Sequence, residues 1–176
     1  AASRNVLVVA AAGNCGGTLE RCTSLNQIDH PAAYEEVVAV GATDTDDSLA
    51  AFSTRNATVD VSAPGRRIVS TTPTYPVYLS QRQSNPVTLM HGVVSGTSQA
   101  APFVAGLAAL IWSQEPALSA PQVAQRLRST ADDLGAPGRD DSFGAGRINA
   151  LRAVTSTADV YAATYGEPPD PPATAA

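Results

Sequence analysis

The sequence contains little charge, few aromatic side chains and very few histidines or cysteines. Charged residues make up 15% of its 176 residues and aromatic residues 5%, with two histidines and two cysteines. All eleven basic residues are arginine and the formal net charge is −5, which argues against a nucleic-acid binder because such a protein needs a basic face. Hydrophobic residues reach 44%, enough for the core of one domain. We therefore do not expect wholesale disorder.

Long apolar runs and a leader segment are also lacking. The most apolar stretch, residues 103–112, has about half the length that a membrane-spanning helix requires. The chain begins at Ala1 without a basic segment followed by an apolar one, so we expect a mature chain, a processed product or an excerpt. Cys15 and Cys22 lie close together in a polar loop, which favours a disulfide and an oxidising compartment. A zinc site is disfavoured, because His30 is the only nearby candidate for a further ligand.

Runs of valine and alanine predict a parallel sheet. Residues 6–10 form a continuous apolar run, typical of a strand buried on both faces, and residues 37–41 and 59–65 predict two more strands. Residues 68–71 are expected to continue as extended chain. The segment 72–95 is rich in Pro, Ser, Thr and Tyr, and we expect irregular or hairpin structure there.

The second half of the chain predicts helices. Residues 98–114 form a helix with no polar face, which indicates a central, buried helix, and Pro102 is expected in its first turn. Ser119 and Gln122 have the spacing of a capping box that begins a second helix. Asn149 is expected to cap a short last helix. Periodicity ends after residue 155, and residues 156–176 predict a Pro-rich tail or linker.

The second helix is expected to have one buried and one solvent-facing side. Val123, Leu127 and Ala131 recur at helical spacing and predict the buried side. Arg126 and Arg128 are expected to face outward.

Two polar residues lie where elements begin or end. Ser98 falls in the first turn of the long helix, where free N–H groups and the helix dipole favour negative charge, although it could simply be the N-cap. Asn14 follows the first strand at its carboxyl end, where parallel sheets bind ligands. Its amide could donate to an oxyanion, or it could be an ordinary turn asparagine.

These residues resemble the motifs of the subtilisin-like serine proteases, the subtilases. Residues 96–102 match the nucleophile motif Gly-Thr-Ser-x-Ala-x-Pro, and residues 11–14 match the oxyanion motif Ala-Ala-Gly-Asn. Residues 144–149 are similar to the closing Gly-x-Gly-hydrophobic-Asn motif. The resemblance implies that residues 1–155 are the C-terminal portion of a subtilase catalytic domain. The fold would be α/β, a parallel sheet flanked by helices, incomplete because the N-terminal strands are missing from this chain.

The resemblance also implies roles for individual residues. Ser98 would be the acylating nucleophile, and the Asn14 side chain and the Ser98 backbone N–H would donate to the tetrahedral oxyanion. The implied substrate-binding positions are Ala11, Ala12, Gly13, Gly96 and Asp29. Calcium is common in the family, but no metal or cofactor site is assigned here, because Asp44, Asp46 and Asp47 are interpreted as a solvated turn.

Asp29 has two interpretations. Counting back from Pro31 puts it where the subtilase loop reaches the floor of the primary specificity pocket, and a carboxylate there would pair with Arg or Lys of a substrate. Alternatively, Asp29 caps the turn before His30-Pro31 and points to solvent.

The catalytic Asp and His of the family precede its oxyanion Asn, and here the residues before Asn14 include neither. His30 and His91 do not match the family's His-Gly-Thr-His motif. We therefore expect the nucleophile half of a secreted serine endopeptidase that cleaves peptides or proteins, with the upstream part of the same domain as its partner and without nucleic acid or a membrane span. The alternative is a truncated, non-catalytic subtilase remnant that serves as a binding or structural module.

Overall fold

The computed structural model describes residues 1–17, 22–77 and 90–155. Within these residues a short 3₁₀ turn at Ala2–Arg4 is followed by five strands and three α-helices. The strands are β1 (Val8–Ala11), β2 (Val37–Thr43), β3 (Val61–Pro64), β4 (Ile68–Thr71) and β5 (His91–Val94). The helices are α1 (Thr97–Gln114), α2 (Ala120–Ser129) and α3 (Ala150–Thr155). The predicted tail at residues 156–176 lies outside the described residues.

The first three strands form the predicted parallel sheet, in the order β1-β2-β3. All seven residues of β2 are buried, because the strand has a partner on each side and is covered on both faces. Its run of small and β-branched residues is typical of such a central strand. The predicted strand at residues 6–10 begins two residues later than expected, and Val6 is about half exposed.

The two edges of this sheet differ. Residues 145–148 run beside β3, where the Ser62 N–H donates to the Gly146 carbonyl at 2.8 Å and the Ile148 N–H to the Ser62 carbonyl at 2.9 Å. The opposite edge is β1, which within the described residues pairs only with β2. Val8 and Val9 are consequently half-buried rather than buried.

Strands β4 and β5 pair antiparallel, with Ile68 opposite Val94 and Thr71 opposite His91. Strand β4 is the extended chain expected at residues 68–71, and only β5 lies within residues 72–95, where irregular or hairpin structure was expected. Within the segment 72–95, residues 78–89 lie outside the described part.

Helix α1 packs across the sheet, but only one of its faces is buried. Val104, Leu107 and Ile111 lie in the core, whereas Phe103 and Leu110 on the other side are 45% and 54% exposed. The expectation of a helix buried all round is therefore wrong for this chain, since nothing in the described residues covers that second face. No helix of the described part is long and apolar enough to cross a membrane.

Pro102 does not lie in the first turn of α1, as the sequence had suggested. The helix already begins at Thr97, so Pro102 is inside it. Because proline has no N–H, it cannot make the helical bond to the Ser98 carbonyl four residues earlier.

Helix α2 begins with the predicted capping box. The Ser119 side chain accepts from the Gln122 N–H, and the Gln122 side chain accepts from the Ser119 N–H. Val123 and Leu127 are fully buried, as predicted, whereas Ala131 lies beyond the end of the helix and is half-buried.

Arg126 does not face outward, as expected, but is 3% exposed. Its guanidinium donates to Glu115 at 2.9 Å and to the Ala153 carbonyl at 3.4 Å, which offsets the penalty of burying the charge. Arg128 is partly exposed and pairs with Asp60 at 3.2 Å.

Helix α3 is capped as predicted, because Asn149 Oδ1 accepts from the Arg152 N–H at 3.0 Å.

Candidate active site

Ser98 is the second residue of α1 and its side chain is exposed. Gly96 is the N-cap of this helix and makes no side-chain cap bond, so Ser98 is not the N-cap. Neither the Ser98 hydroxyl nor its backbone N–H makes a hydrogen bond within the described residues. A free hydroxyl and a free N–H therefore stand together at the positive end of a long helix.

Gly96 gives Ser98 room on its N-terminal side. Its φ of 153° lies in a region that residues with a side chain rarely adopt. A Cβ there would also come within 2.8 Å of Gln99 Oε1 and 3.4 Å of Asn14 Nδ2. The glycine thus lets the loop before Ser98 approach the Asn14 side chain closely.

Asn14 follows β1 and reaches across to the start of α1. Its Oδ1 accepts from the Thr97 N–H at 2.9 Å and from Thr97 Oγ1 at 3.1 Å. A backbone N–H can only donate, so these contacts assign the oxygen to this side and leave the Nδ2 hydrogens for another acceptor. Nδ2 makes no hydrogen bond within the described residues.

Thr97 is the residue that the sequence analysis missed. It is fully buried, and besides holding Asn14 its Oγ1 accepts from the Gly13 N–H at 3.3 Å. One hydroxyl thereby ties the end of β1 to the start of α1. The sequence could have pointed to Thr97, because this residue lies inside the motif at residues 96–102, next to the nucleophile position.

Residues 11–13, just before Asn14, have small side chains or none, so they offer a ligand mainly their backbone groups. Ala11, the last residue of β1, is half-buried, and Ala12 is 1% exposed, so the Ala12 methyl is not available to a ligand. Gly13 has a φ of 115°, and its carbonyl accepts from the Thr54 N–H at 3.0 Å. The structure brings these predicted positions together with Asn14 and Gly96 at one end of the sheet.

Asp29 lies against the same segment. A Cβ built on Gly13 would come within 2.5 Å of Asp29 Oδ2, which places the carboxylate in contact with the Gly13 backbone. Asp29 Oδ1 accepts from Gln27 Nε2 at 2.7 Å. The side chain is half-buried, and the His30-Pro31 peptide bond that follows is cis.

Neither histidine lies where it would activate Ser98. His30 is exposed and packs edge-on against the Tyr34 ring, with the ring centroids 4.7 Å apart. His91 is exposed at the start of β5. Because the Ser98 hydroxyl has no hydrogen bond in the described part of the chain, neither imidazole serves it as a base here.

The Sγ atoms of Cys15 and Cys22 lie 2.02 Å apart, at bonding distance, as the sequence predicts. Cys15 directly follows Asn14 and is buried, and its N–H donates to Thr54 Oγ1 at 3.0 Å. Residues 18–21 of this loop lie outside the described part.

The carboxylates of the acidic turn after β2 already have partners. Asp44 pairs with Arg66, and Asp47 pairs with Arg147. Asp46 accepts from the side chain and the backbone N–H of Ser48, and these hydrogen bonds lower its pKa. Two of the three carboxylates are thus already neutralised by arginine, and no group of three metal-binding side chains occurs among the described residues.

A cleft of about 350 Å³ is lined in part by Ser98. It runs between the β4–β5 hairpin and the start of α1, and Val94, Gln99, Pro102 and Phe103 line it with Ser98. The exposed Ser98 thus lines a cleft and directly follows Thr97, the residue that holds the Asn14 side chain.

Comparison with known proteins agrees with this geometry. The model of the subtilase family matches residues 1–146. Subtilisin DY from Bacillus licheniformis is 46% identical over 146 residues, covering 82% of this chain and 45% of that protein. Minor extracellular protease Epr from Bacillus subtilis (strain 168) is 39% identical over 160 residues, covering 91% of this chain and 21% of that protein.

A solved structure supports the same assignment. The crystal structure of a lanthipeptide protease superposes with a TM-score of 0.71 at 32% identity, covering 87% of this chain and 51% of that one. The chain thus spans about half or less of the length of these relatives. The architecture is an incomplete subtilisin-like α/β fold, and the chain belongs to the subtilase family.

Proposed function

We propose that this chain is the nucleophile-bearing part of a serine endopeptidase that hydrolyses peptide bonds by acyl transfer. The observation that carries the proposal is the exposed Ser98, with a free N–H and a free hydroxyl, beside an Asn14 amide that Thr97 holds in one orientation. The family and its protease relatives support the reaction class.

The residues of this chain would act in a defined order. Ser98 Oγ attacks the carbonyl carbon of the scissile bond while its proton passes to a base. The carbonyl oxygen becomes negatively charged and accepts from Asn14 Nδ2 and from the Ser98 N–H, neither of which makes a hydrogen bond within the described residues. The proton then goes to the leaving amine, and water hydrolyses the acyl-enzyme.

The proposed reaction needs a base, and no residue of the described part is hydrogen-bonded to the Ser98 hydroxyl. A serine hydroxyl is a weak nucleophile at neutral pH unless a base removes its proton. We propose that the partner is the remaining part of the catalytic domain, carrying the family's Asp and His. The substrates would be peptides or proteins, and Ala11, Ala12 and Gly13 would contribute mainly backbone to their binding, together with Gly96.

We also propose an extracellular location. The spacing of Cys15 and Cys22 in a polar loop favours a disulfide, which would persist in an oxidising compartment, and the name of the relative Epr describes that protein as extracellular. The proposal includes no metal or cofactor.

The second candidate is a non-catalytic remnant that binds peptides or stabilises another protein. The exposed second face of α1 favours it, and so does the Ser98 hydroxyl, which has no base within hydrogen-bond distance among the described residues. The two candidates differ in whether Ser98 becomes reactive when the rest of the domain is supplied.

The test uses a biotinylated peptidyl phosphonate that acylation-competent serines attack. The 176-residue chain is assayed alone, and then joined to the part of subtilisin DY that it does not match. We expect no turnover of a peptide anilide by the chain alone, and labelling of the joined protein that Ser98→Ala abolishes. Turnover by the isolated chain that depends on Ser98 would contradict the need for a partner. Absence of labelling in a folded joined protein would favour the non-catalytic remnant.

A further inference from the structure

We propose that Thr54 is a positioning residue, which holds the backbone on both sides of Asn14. The inference rests on the proposed function for the role of the Asn14 amide as an oxyanion donor, and it concerns how the fold keeps that donor in place. Thr54 follows β2, lies far from Asn14 in the sequence and is fully buried. It acts through Asn14 and not on the reacting atoms.

The backbone of Asn14 has no hydrogen bonds of its own. Neither its N–H nor its carbonyl bonds to another group within the described residues. Asn14 is also exposed, and it lies beyond the end of β1, where the sheet no longer holds the chain. The place of its backbone therefore depends on the residues directly before and after it.

Thr54 bonds to both of these neighbours. Its backbone N–H donates to the Gly13 carbonyl at 3.0 Å, and its Oγ1 accepts from the Cys15 N–H at 3.0 Å. Any residue except proline can make the first bond, but the second needs a side-chain oxygen at this position. Gly13 lets the two segments approach, because a Cβ there would come within 2.9 Å of Thr54 Oγ1.

The centre of the sheet holds Thr54 in turn. The preceding residue, Ser53, is fully buried, and its Oγ accepts from the Ala42 N–H of β2 at 3.0 Å. Every residue of β2 is buried. Moving a buried segment of this kind would leave its donors and acceptors unpaired in the interior, which is costly. The place of Asn14 is thus linked to the most rigid strand through Thr54.

Thr54 and Thr97 fix different parts of Asn14. Thr97 donates to Asn14 Oδ1 and sets the orientation of the side chain, whereas Thr54 sets the place of the backbone. An oxyanion donor is effective only when its N–H lies at hydrogen-bond distance from the developing charge, so both settings matter. Because that charge exists only in the transition state, loss of Thr54 Oγ1 should lower kcat and leave KM nearly unchanged.

The first experiment compares variants of the 176-residue chain by NMR and does not need catalysis. Thr54→Val keeps the shape of the side chain and removes Oγ1, while the Gly13 carbonyl keeps its bond to the backbone N–H of residue 54. We expect the Cys15 N–H to exchange with solvent about tenfold faster and the Asn14 amide signals to shift. Thr54→Ser should restore both. Unchanged Asn14 signals in Thr54→Val, or in Thr54→Ala where the valine variant does not fold, would overturn the proposal.

Thr43 provides the matched control. It is a fully buried threonine of β2, but its Oγ1 has no hydrogen-bond partner among the described residues. Thr43→Val therefore removes a buried hydroxyl without removing a bond, and it should leave the Cys15 and Asn14 signals unchanged. Changes of equal size in Thr43→Val and Thr54→Val would show that the loss of any buried hydroxyl perturbs the site, and would overturn a specific role of Thr54.

The second experiment measures kcat and KM for a peptide anilide with the joined protein described above. We expect Thr54→Val to lower kcat about 3- to 30-fold, less than the roughly 10²–10³ lost when such a donor is removed, and to change KM by less than about twofold. Thr54→Ser should restore kcat. In an Asn14→Ala background, Thr54→Val should have no further effect, because no donor remains to be positioned.

The outcomes separate this role from the peptidase proposal. An equal fall in kcat with and without the Asn14 side chain would show that Thr54 acts on something other than the donor, and would overturn the inference. Shifted Asn14 signals in Thr54→Val, together with a joined protein whose Ser98 is not labelled by the phosphonate, would support the positioning of Asn14 and contradict only the peptidase proposal.

Discussion

At the scale of single residues, the candidate site depends on a hydrogen-bond pattern that leaves the Asn14 amide hydrogens and the Ser98 N–H without acceptors among the described residues. Asn14 offers its amide hydrogens because Thr97 occupies its oxygen, and Ser98 keeps its N–H because it lies in the first turn of α1. The sequence motifs predicted where Ser98 and Asn14 would lie. They did not predict that the fully buried Thr97 joins them, because that role depends on two elements far apart in the chain meeting at one hydroxyl.

Replacing Thr97 with valine tests this positioning role. Valine keeps the volume but removes Oγ1, so the Gly13 N–H loses its acceptor and Asn14 Oδ1 keeps only the Thr97 N–H. We expect the free energy of unfolding to fall by about 1–2 kcal/mol and the Asn14 side-chain amide signals in the NMR spectrum to broaden or shift. Thr97→Ser retains the hydroxyl and should restore the wild-type amide signals. Identical Asn14 signals in Thr97→Val and wild type would contradict the positioning role.

At the scale of elements, charged side chains fasten the last part of the chain to the sheet. Residues 145–148 extend the sheet beside β3. Arg147 forms ion pairs with two carboxylates, that of Asp132 at 2.7 Å and that of Asp47. Asp132 also accepts from Arg152 and from Asn149 Nδ2. Periodicity did not predict this network, because all its members except Arg152 lie outside the regular helices and strands, where spacing says little about contacts.

Replacing Asp132 with asparagine should destabilise the protein at neutral pH and have little effect in acid. Burial raises the pKa of Asp132, but the hydrogen bonds from Arg147 and Asn149 and the charges of Arg152 and Arg147 outweigh it, so the pKa is lowered. A carboxyl with a lowered pKa in the folded state stabilises the protein above its unfolded pKa and loses that contribution as the pH falls through the folded value. We expect Asp132→Asn to cost about 1–2 kcal/mol at pH 7.

Urea unfolding at several pH values measures this difference. The gap between wild type and Asp132→Asn should shrink as the pH falls below about 4, near the ordinary pKa of an aspartate. Asp141→Asn, at an exposed aspartate, is the matched control and should follow the wild type at every pH. A gap of constant size from pH 7 into acid would show that the carboxylate charge is not the cause.

At the scale of the whole molecule, the sequence predicted the parallel sheet, the capped helices and the family, because these depend on local patterns. The predictions of burial were wrong where the exposure of a segment depends on which other parts of the protein pack against it. Residues 98–114 have the composition of a fully buried helix, yet half of α1 is exposed. Arginine is a residue type that usually lies at the surface, yet Arg126 is buried and bonds to Glu115 and to the Ala153 carbonyl of α3. In both cases the neighbours, rather than the segment itself, decide the exposure.

The exposed face of α1 and the open edge of β1 predict that the isolated chain self-associates. Phe103 and Leu110 form an exposed apolar surface, whose burial in an interface would be favourable. Strand β1 is an edge strand among the described residues, so its backbone groups can pair with another strand. In sedimentation velocity, we expect the average mass to rise above 18.0 kDa with concentration. Leu110→Gln should shift the average mass back toward the monomer, whereas Leu151→Gln, at a leucine that is 72% exposed on α3, should not. A wild-type chain that stays monomeric at high concentration and melts cooperatively at high temperature would show that these surfaces need no partner.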